Sequence, residues 1–265
     1  EQLPMILGTD ASGIDEEGTP VVVHAVIGDP ARGGGDETLD PKRSLLSEVY
    51  NGTLAERVAV PRRNLVPKPV GFSFEQAACL PTAWLTAYRM LTTRGQLKER
   101  ETVLVQGAGG GVSTALIPLA KAMGLRVWAT SRDADKREQA LGLGADQAFD
   151  SGERLPERVD AVMESVGAAT WRHSLKSLRP GGRVVVCGAT SGPNPPADLA
   201  RLFFLQLSII GSTMGTRDEL DALLGFCDEH SLAPVIDATY PLAEADRALA
   251  QLASGATFGK IVVTA

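Results

Sequence analysis

The chain has 265 residues, 44% of them apolar and 22% charged, an ordinary globular composition that suffices for one large or two modest domains and excludes a disordered tail or a small disulfide scaffold. Acidic residues outnumber basic ones by 32 to 26, for a net charge of −6, and no Lys/Arg run has the footprint of a phosphate-backbone binder, so nucleic acid is not an expected partner. Cys79, Cys187 and Cys227 are odd in number, far apart and set in apolar sequence. They form neither a disulfide framework nor a CxxC redox or zinc motif and are expected as buried thiols. No apolar stretch reaches membrane-span length, and Glu1-Gln2-Leu3-Pro4 opens without a basic region or an apolar signal core; no membrane contact and a cytoplasmic location are expected.

The first third is β-rich and irregular. Short apolar runs, Pro20 to Val26 and Leu54 to Val60, alternate with Gly, Pro and Asp clusters, the pattern of hairpins and loops. The stretch from Gly28 to Leu39 carries Gly33-Gly34-Gly35 and several charges, and its composition predicts an exposed loop. Ser73-Phe74-Glu75-Gln76 offers a helix start, and apolar residues from Ala77 to Leu91 recur at helical spacing despite Pro81.

From there strands and helices alternate. Strands are predicted over 102–106, 126–130, 147–149, 159–163, 183–187 and 207–211, and helices over 112–123, 135–143, 170–178 and 217–230. Nearly all-apolar strands joined by crossover helices imply a parallel sheet covered on both faces, a doubly wound α/β domain. The tail reads as a helix over 243–252 and a strand over 259–263 after a break at Pro241.

The most informative stretch is Gln106-Gly107-Ala108-Gly109-Gly110-Gly111-Val112-Ser113, where an apolar strand runs through glycines into an amphipathic helix. Residues without side chains let the backbone approach a pyrophosphate, and the free N–H groups at the helix start point at its charge. Ser113 stands where the third glycine of the dinucleotide fingerprint would be, so close packing of helix on strand has to tolerate one hydroxyl. At the end of the next strand an acid would select NAD by bonding its ribose hydroxyls. Here Ser131 and Arg132 replace it, with Lys136 one helical turn on, a set suited to the 2′-phosphate of NADP(H). The alternative for Arg132 and Lys136 is pairing with Asp133, Asp135 or Glu138 on a solvated helix start.

The sequence resembles the medium-chain dehydrogenase/reductase superfamily, and within it the zinc-independent NADPH:quinone reductase group. The resemblance spans essentially the whole chain. It rests on Pro4 to Gly13, Gly52-Thr53-Leu54-Ala55-Glu56, Val60-Pro61, Leu65-Val66-Pro67-Lys68-Pro69, Ala78-Cys79-Leu80-Pro81, Leu85-Thr86-Ala87-Tyr88, the glycine loop, Leu143-Gly144-Ala145-Asp146, Leu178-Arg179-Pro180-Gly181-Gly182 and Gly259-Lys260. It implies a Rossmann sheet over 83–235 inserted into a GroES-like catalytic domain formed by 1–82 and 236–265, with ligand in the cleft between them. It further implies that Thr86 contacts the nicotinamide ribose, that Ser165, Val166 and Gly167 lie beside that ribose, and that Gly188, Ala189 and Thr190 line the nicotinamide. Lys260 either reaches the cofactor or lies on an exposed edge strand.

Two departures matter. Zinc-containing members place a ligand His in a Leu-Gly-His-Glu segment and a Cys ahead of the cofactor domain; this chain has Leu7-Gly8-Thr9-Asp10 and Thr82. Threonine is not a usable zinc ligand. The structural-zinc lobe is replaced by the Gly33 to Asp40 loop, and His24, His173 and His230 are far apart, so no metal is expected. The family's opening strands ahead of Ile6 have no counterpart in this sequence, which would leave the barrel open with exposed strand edges. The expected activity is hydride transfer from NADPH to a small electrophilic acceptor, a quinone or an α,β-unsaturated carbonyl, with Tyr50 and Thr82 the polar side chains nearest the acceptor. A zinc-free enoyl thioester reductase, with Arg57, Arg62 and Arg63 forming a basic entrance, and a cofactor-binding protein without turnover are the alternatives. The resemblance also implies a homodimer joined through Phe203 to Ile210.

Overall fold

The structure, a computed structural model, describes residues 3–265. Contacts divide it into two units, one running up to Leu85 and resuming at Met214–Ala265, the other Thr86–Thr213. Residues 214–235, which the sequence pattern groups with the parallel sheet, cluster with the first unit.

The first unit is built from short strands. β1 (Ser12–Ile14), β2 (Pro20–Val23) and β5 (Leu65–Pro67) form an antiparallel sheet, and β3 (Val26–Ile27) pairs with β4 (Ser44–Leu45). The apolar run 54–60 forms no strand. Residues 28–39, expected as an exposed loop, are instead two capped 3-10 turns, Pro30–Gly33 and Glu37–Leu39. What organises them is polar: buried Asp40 accepts Arg32 Nε (3.0 Å) and Nη2 (2.7 Å) together with the amides of Asp29 and Lys42. Glu37, also buried, accepts the amide of Arg217 at 2.7 Å. Composition alone overlooks a loop that closes on ion pairs rather than on apolar surface.

Ser73 caps α1 (Phe74–Ala78) in a reciprocal box with Gln76, as the sequence motif requires. The helical run beyond it is not regular α: π turns at Leu80–Trp84 and Met90–Arg94 bracket α2 (Leu85–Arg89), the first entered through Pro81, which has no N–H for the regular ladder. Later in the chain α7 (Arg217–Glu229), α8 (Ala245–Ser254) and the parallel pair of β12 (Ile236–Pro241) with β13 (Lys260–Thr264) complete the first unit. The sequence pattern did not predict β12, whose exposure alternates from residue to residue.

The second unit is a six-stranded, all-parallel sheet: β6 (Thr102–Val105), β7 (Arg126–Thr130), β8 (Gln147–Phe149), β9 (Val159–Glu164), β10 (Leu178–Val186) and β11 (Ser208–Gly211). Its spatial order is β11-β10-β9-β6-β7-β8, so the winding reverses between β6 and β9. The helices are α3 (Gly111–Ala122), α4 (Ala134–Gly142), α5 (Ala168–Ser177) and the short α6 (Leu199–Phe204), which the sequence pattern missed. Every residue of β6 is buried. Leu104, Trp128, Val162, Trp171, Leu178 and Val184 form one continuous core, each contributing roughly 1.5–3 kcal/mol by burial. A doubly wound sheet opens its binding crevice at the carboxyl ends of the strands on either side of such a reversal.

The Arg32 guanidinium bonded to Asp40 holds that carboxyl well below the usual carboxylate range. A pKa depressed by folding contributes stability above the ordinary value and loses it as pH falls below about 4. Asp40→Asn is therefore expected to lower the melting temperature by a few degrees at pH 7 and to shrink the loss of stability on acidification; calorimetry at pH 7 and about pH 2 checks both.

Candidate active site

At the reversal, β6 ends in the glycine loop. Gly107 and Gly109 adopt φ of +74° and +125°, conformations that side-chain-bearing residues avoid. A Cβ on Gly107 would lie 2.7 Å from Val166 Cγ2, and one on Gly109 would lie 2.8 Å from Lys136 Cδ. Ala108 is buried, its amide donating to Thr130 O at 2.7 Å. Gly110 is the N-cap of α3 and provides no side-chain cap. The first-turn amides of Gly111, Val112 and Ser113 find no acceptor among the described residues. A helix start left bare in this way presents its N–H groups and its positive dipole end to an anion. The Ser113 hydroxyl turns back to donate to Gly107 O at 2.9 Å, which is how the loop accommodates serine in place of glycine.

Beside it, β9 ends in fully buried Glu164 and turns through Ser165, Val166 and Gly167, the last at φ +90°. A Cβ on Gly167 would sit 2.6 Å from Gly192 O and 2.9 Å from Ala189 Cα. Thr190 and Ser191 donate their amides to Ser165 O (3.4 Å) and Val166 O (2.7 Å), and a Cβ on Gly188 would lie 3.1 Å from Ser165 O. The glycine loop and the 165–167 and 188–190 turns, picked out separately in the sequence, thus meet at one end of the sheet. Glu164 was missed, because nothing in the sequence distinguishes it from a surface acid.

At the end of β7, Ser131 is buried and its Oγ accepts the Asp133 amide. Arg132 is exposed and makes no hydrogen bond or ion pair with any described residue. Asp133, a possible partner for it, instead caps α4 through the amides of Asp135 and Lys136. The Lys136 stem lies against Gly109. Thr86, the first residue of this unit, is buried. Cys187, ahead of Gly188, is only partly buried, a correction to its expected full burial, while Cys79 and Cys227 are buried. Burial pushes the Cys187 and Cys227 thiols up to about 12.

In the first unit, Thr9 and Thr82, at the two expected ligand positions, face each other, Thr82 Oγ1 donating to Thr9 Oγ1 at 3.4 Å. Lys260 donates to Asp10 Oδ2 at 2.7 Å, and the charge of Asp10 raises the lysine above its ordinary value. Cys79 Sγ donates to Glu75 O, and burial pushes its thiol up to about 11. Zinc needs imidazole, thiolate or carboxylate donors in a tetrahedral set. Two hydroxyls bonded to each other, a carboxylate neutralised by an ammonium and a protonated thiol do not fit that ion. Tyr50 is half exposed, and its carbonyl accepts the Ser47 amide. Arg62 is bound to Glu16 and Glu17, and Arg63 to Gly28 O with Glu37 close by; of the basic residues suggested for a thioester entrance, two are committed to other partners.

A family model described as zinc-binding dehydrogenase matches residues 111–229. Quinone oxidoreductase of Pseudomonas aeruginosa is 31% identical over 231 residues, covering 80% of this chain and 71% of the relative. The crystal structure of an NAD-dependent alcohol dehydrogenase superposes with a TM-score of 0.92 at 34% identity, over 100% of this chain and 84% of that one. That of the 2-octenoyl-CoA carboxylase reductase CinF in complex with NADP and 2-octenoyl-CoA gives 0.91 at 29% identity, over 97% and 68%. The chain belongs to the medium-chain dehydrogenase/reductase superfamily and is an oxidoreductase.

Proposed function

We propose that this chain is a zinc-independent reductase that uses NADPH to reduce a quinone or an α,β-unsaturated carbonyl. The observation that carries the reading is the uncapped start of α3, three amides without acceptors, with the unpaired Arg132 at the end of the neighbouring strand. The second unit is then the cofactor domain and the first a GroES-like catalytic domain. Bound NADPH supplies the hydride. The residues do the rest by holding and orienting. Gly107 to Val112 cradle the pyrophosphate. Arg132, with Ser131 and Lys136, receives the 2′-phosphate, a dianion suited to a planar guanidinium. Thr86, the 165–167 turn and Gly188, Ala189 and Thr190 hold the ribose and nicotinamide, aligning them so that little entropy is lost on reaching the reactive geometry. Tyr50 and Thr82 are the polar side chains assigned to the acceptor, with solvent delivering the proton. Lys260 reaches the cofactor in this reading only by sharing its ammonium with Asp10.

The mutual hydrogen bond of Thr9 and Thr82 supports zinc independence. CinF, whose structure contains 2-octenoyl-CoA, supports a second reading, an enoyl thioester reductase; Arg57 is the basic residue left to it. No helix among the described residues is long and apolar enough to cross a membrane.

A homodimer is part of the same proposal. β11 is an edge strand, paired with β10 alone. Beside it Leu199, Phe203 and Phe204 are 66%, 74% and 80% exposed, an apolar cluster of the kind that marks an interface. Sedimentation at micromolar concentration is expected to give twice the chain mass, and a monomer would contradict the assignment. For the activity, the purified protein is expected to oxidise NADPH when a simple quinone or enone is added, at a rate unchanged by a metal chelator. Arg132→Ala is expected to raise KM for NADPH about tenfold while leaving that for NADH unchanged. Chelator-sensitive turnover, or equal effects on the two nicotinamides, would contradict the reading.

A further inference from the structure

The buried polar groups beneath the switch point form one directed chain. The Gly107 amide donates to Thr130 Oγ1 (3.3 Å), whose hydroxyl donates to Gln106 Oε1 (2.6 Å). Gln106 Nε2 donates to Ser174 Oγ (3.0 Å), and Ser174 donates to Glu164 Oε2 (2.6 Å). From the other side, Glu164 Oε1 accepts the amides of Val166 (2.8 Å) and Gly167 (3.1 Å), and Thr170 Oγ1 lies within 3.0 Å of both carboxylate oxygens. Gln106, Thr130, Ser174 and Glu164 are each 0% exposed. Gln106 Nε2 also lies 2.9 Å from His173 Nδ1. The path ends on the Glu164 carboxyl, which accepts at both oxygens. Burying a carboxyl group is costly unless its oxygens are hydrogen-bonded, and here the surrounding donors do so.

The consequence is geometric. Glu164 holds the two amides that define the 165–167 turn, and Val166 from that turn packs on Gly107 of the glycine loop. We propose that Glu164 is a positioning residue for the nicotinamide half of the cofactor: it fixes the Ser165–Gly167 turn and, through Ser174, Gln106 and Thr130, ties that turn to the glycine loop. The proposal rests on the reading of this end of the sheet as an NADPH site. The adenosine half, held by the start of α3 and Arg132, does not depend on Glu164.

The test compares two ligands on the full chain: NADPH, which spans both halves, and adenosine 2′,5′-bisphosphate, which carries only the adenosine half with its phosphates. Glu164→Gln keeps the volume but puts a donor where only donors point. It is expected to weaken NADPH about tenfold in a calorimetric titration while changing the bisphosphate less than twofold. Equal weakening of both ligands, or no change in either, would overturn the assignment, since a merely structural role moves both together. If Glu164→Gln does not fold, Ser174→Ala, which removes one donor and the link to Gln106, is expected to show the same split at about threefold, and equal loss of both ligands there overturns the proposal as well. Wild-type protein that binds neither ligand would overturn the NADPH reading itself.

Discussion

The constraint on which the site depends is that a helix meant to receive an anion cannot satisfy its own first amides. Four other helices are capped by side chains, Ser73 before α1, Asp133 before α4, Asp198 before α6 and Thr216 before α7, while α5 and α8 are not. Before α3 stands Gly110, with nothing to cap it. Replacing a good N-cap typically costs about 1 kcal/mol, and the buried strand–helix packing around it has to offset that loss. Glycine at 107 and 109 then follows from the same need, since the backbone must turn sharply while staying accessible.

The neighbouring α5 shows the opposite solution. It too is preceded by a glycine without a side-chain cap, Gly167, yet the amides around it are taken by Glu164, by Gly192 O and by Ser191 Oγ. One helix start is open to a ligand and the other is closed by the protein. The closed one is braced chiefly by Glu164, a buried acceptor shared by two of its amides. This pairing of an uncapped helix start with a braced turn is what the reversal in strand order makes possible, since β6 and β9 lie side by side although α3, α4 and two strands separate them in sequence.

Much of the second unit was legible from sequence. Apolar four- to six-residue strands alternating with amphipathic helices leave one architecture, and the glycine loop marks its first crossover. The rest depended on contacts between residues distant in sequence. Lys260 meets Asp10 across nearly the whole chain, and no local pattern announces that pair. The 28–39 segment looked like solvated loop because of its charges, when Asp29 and Asp36 cap its turns and the neighbouring Asp40 clasps Arg32. Arg62 and Arg63 looked available for a substrate until their acidic partners came into view. Glu164 is the sharpest case, because its role follows from the direction of hydrogen bonds that only packing reveals.

Amide hydrogen exchange over the segment containing Gly111, Val112 and Ser113, with and without NADPH, tests the central claim most directly. Amides with no acceptor exchange rapidly in the free protein, and if the cofactor pyrophosphate seats on them, saturating NADPH slows them selectively. Exchange in this segment that is unchanged by NADPH, while the nucleotide is bound, would contradict the account.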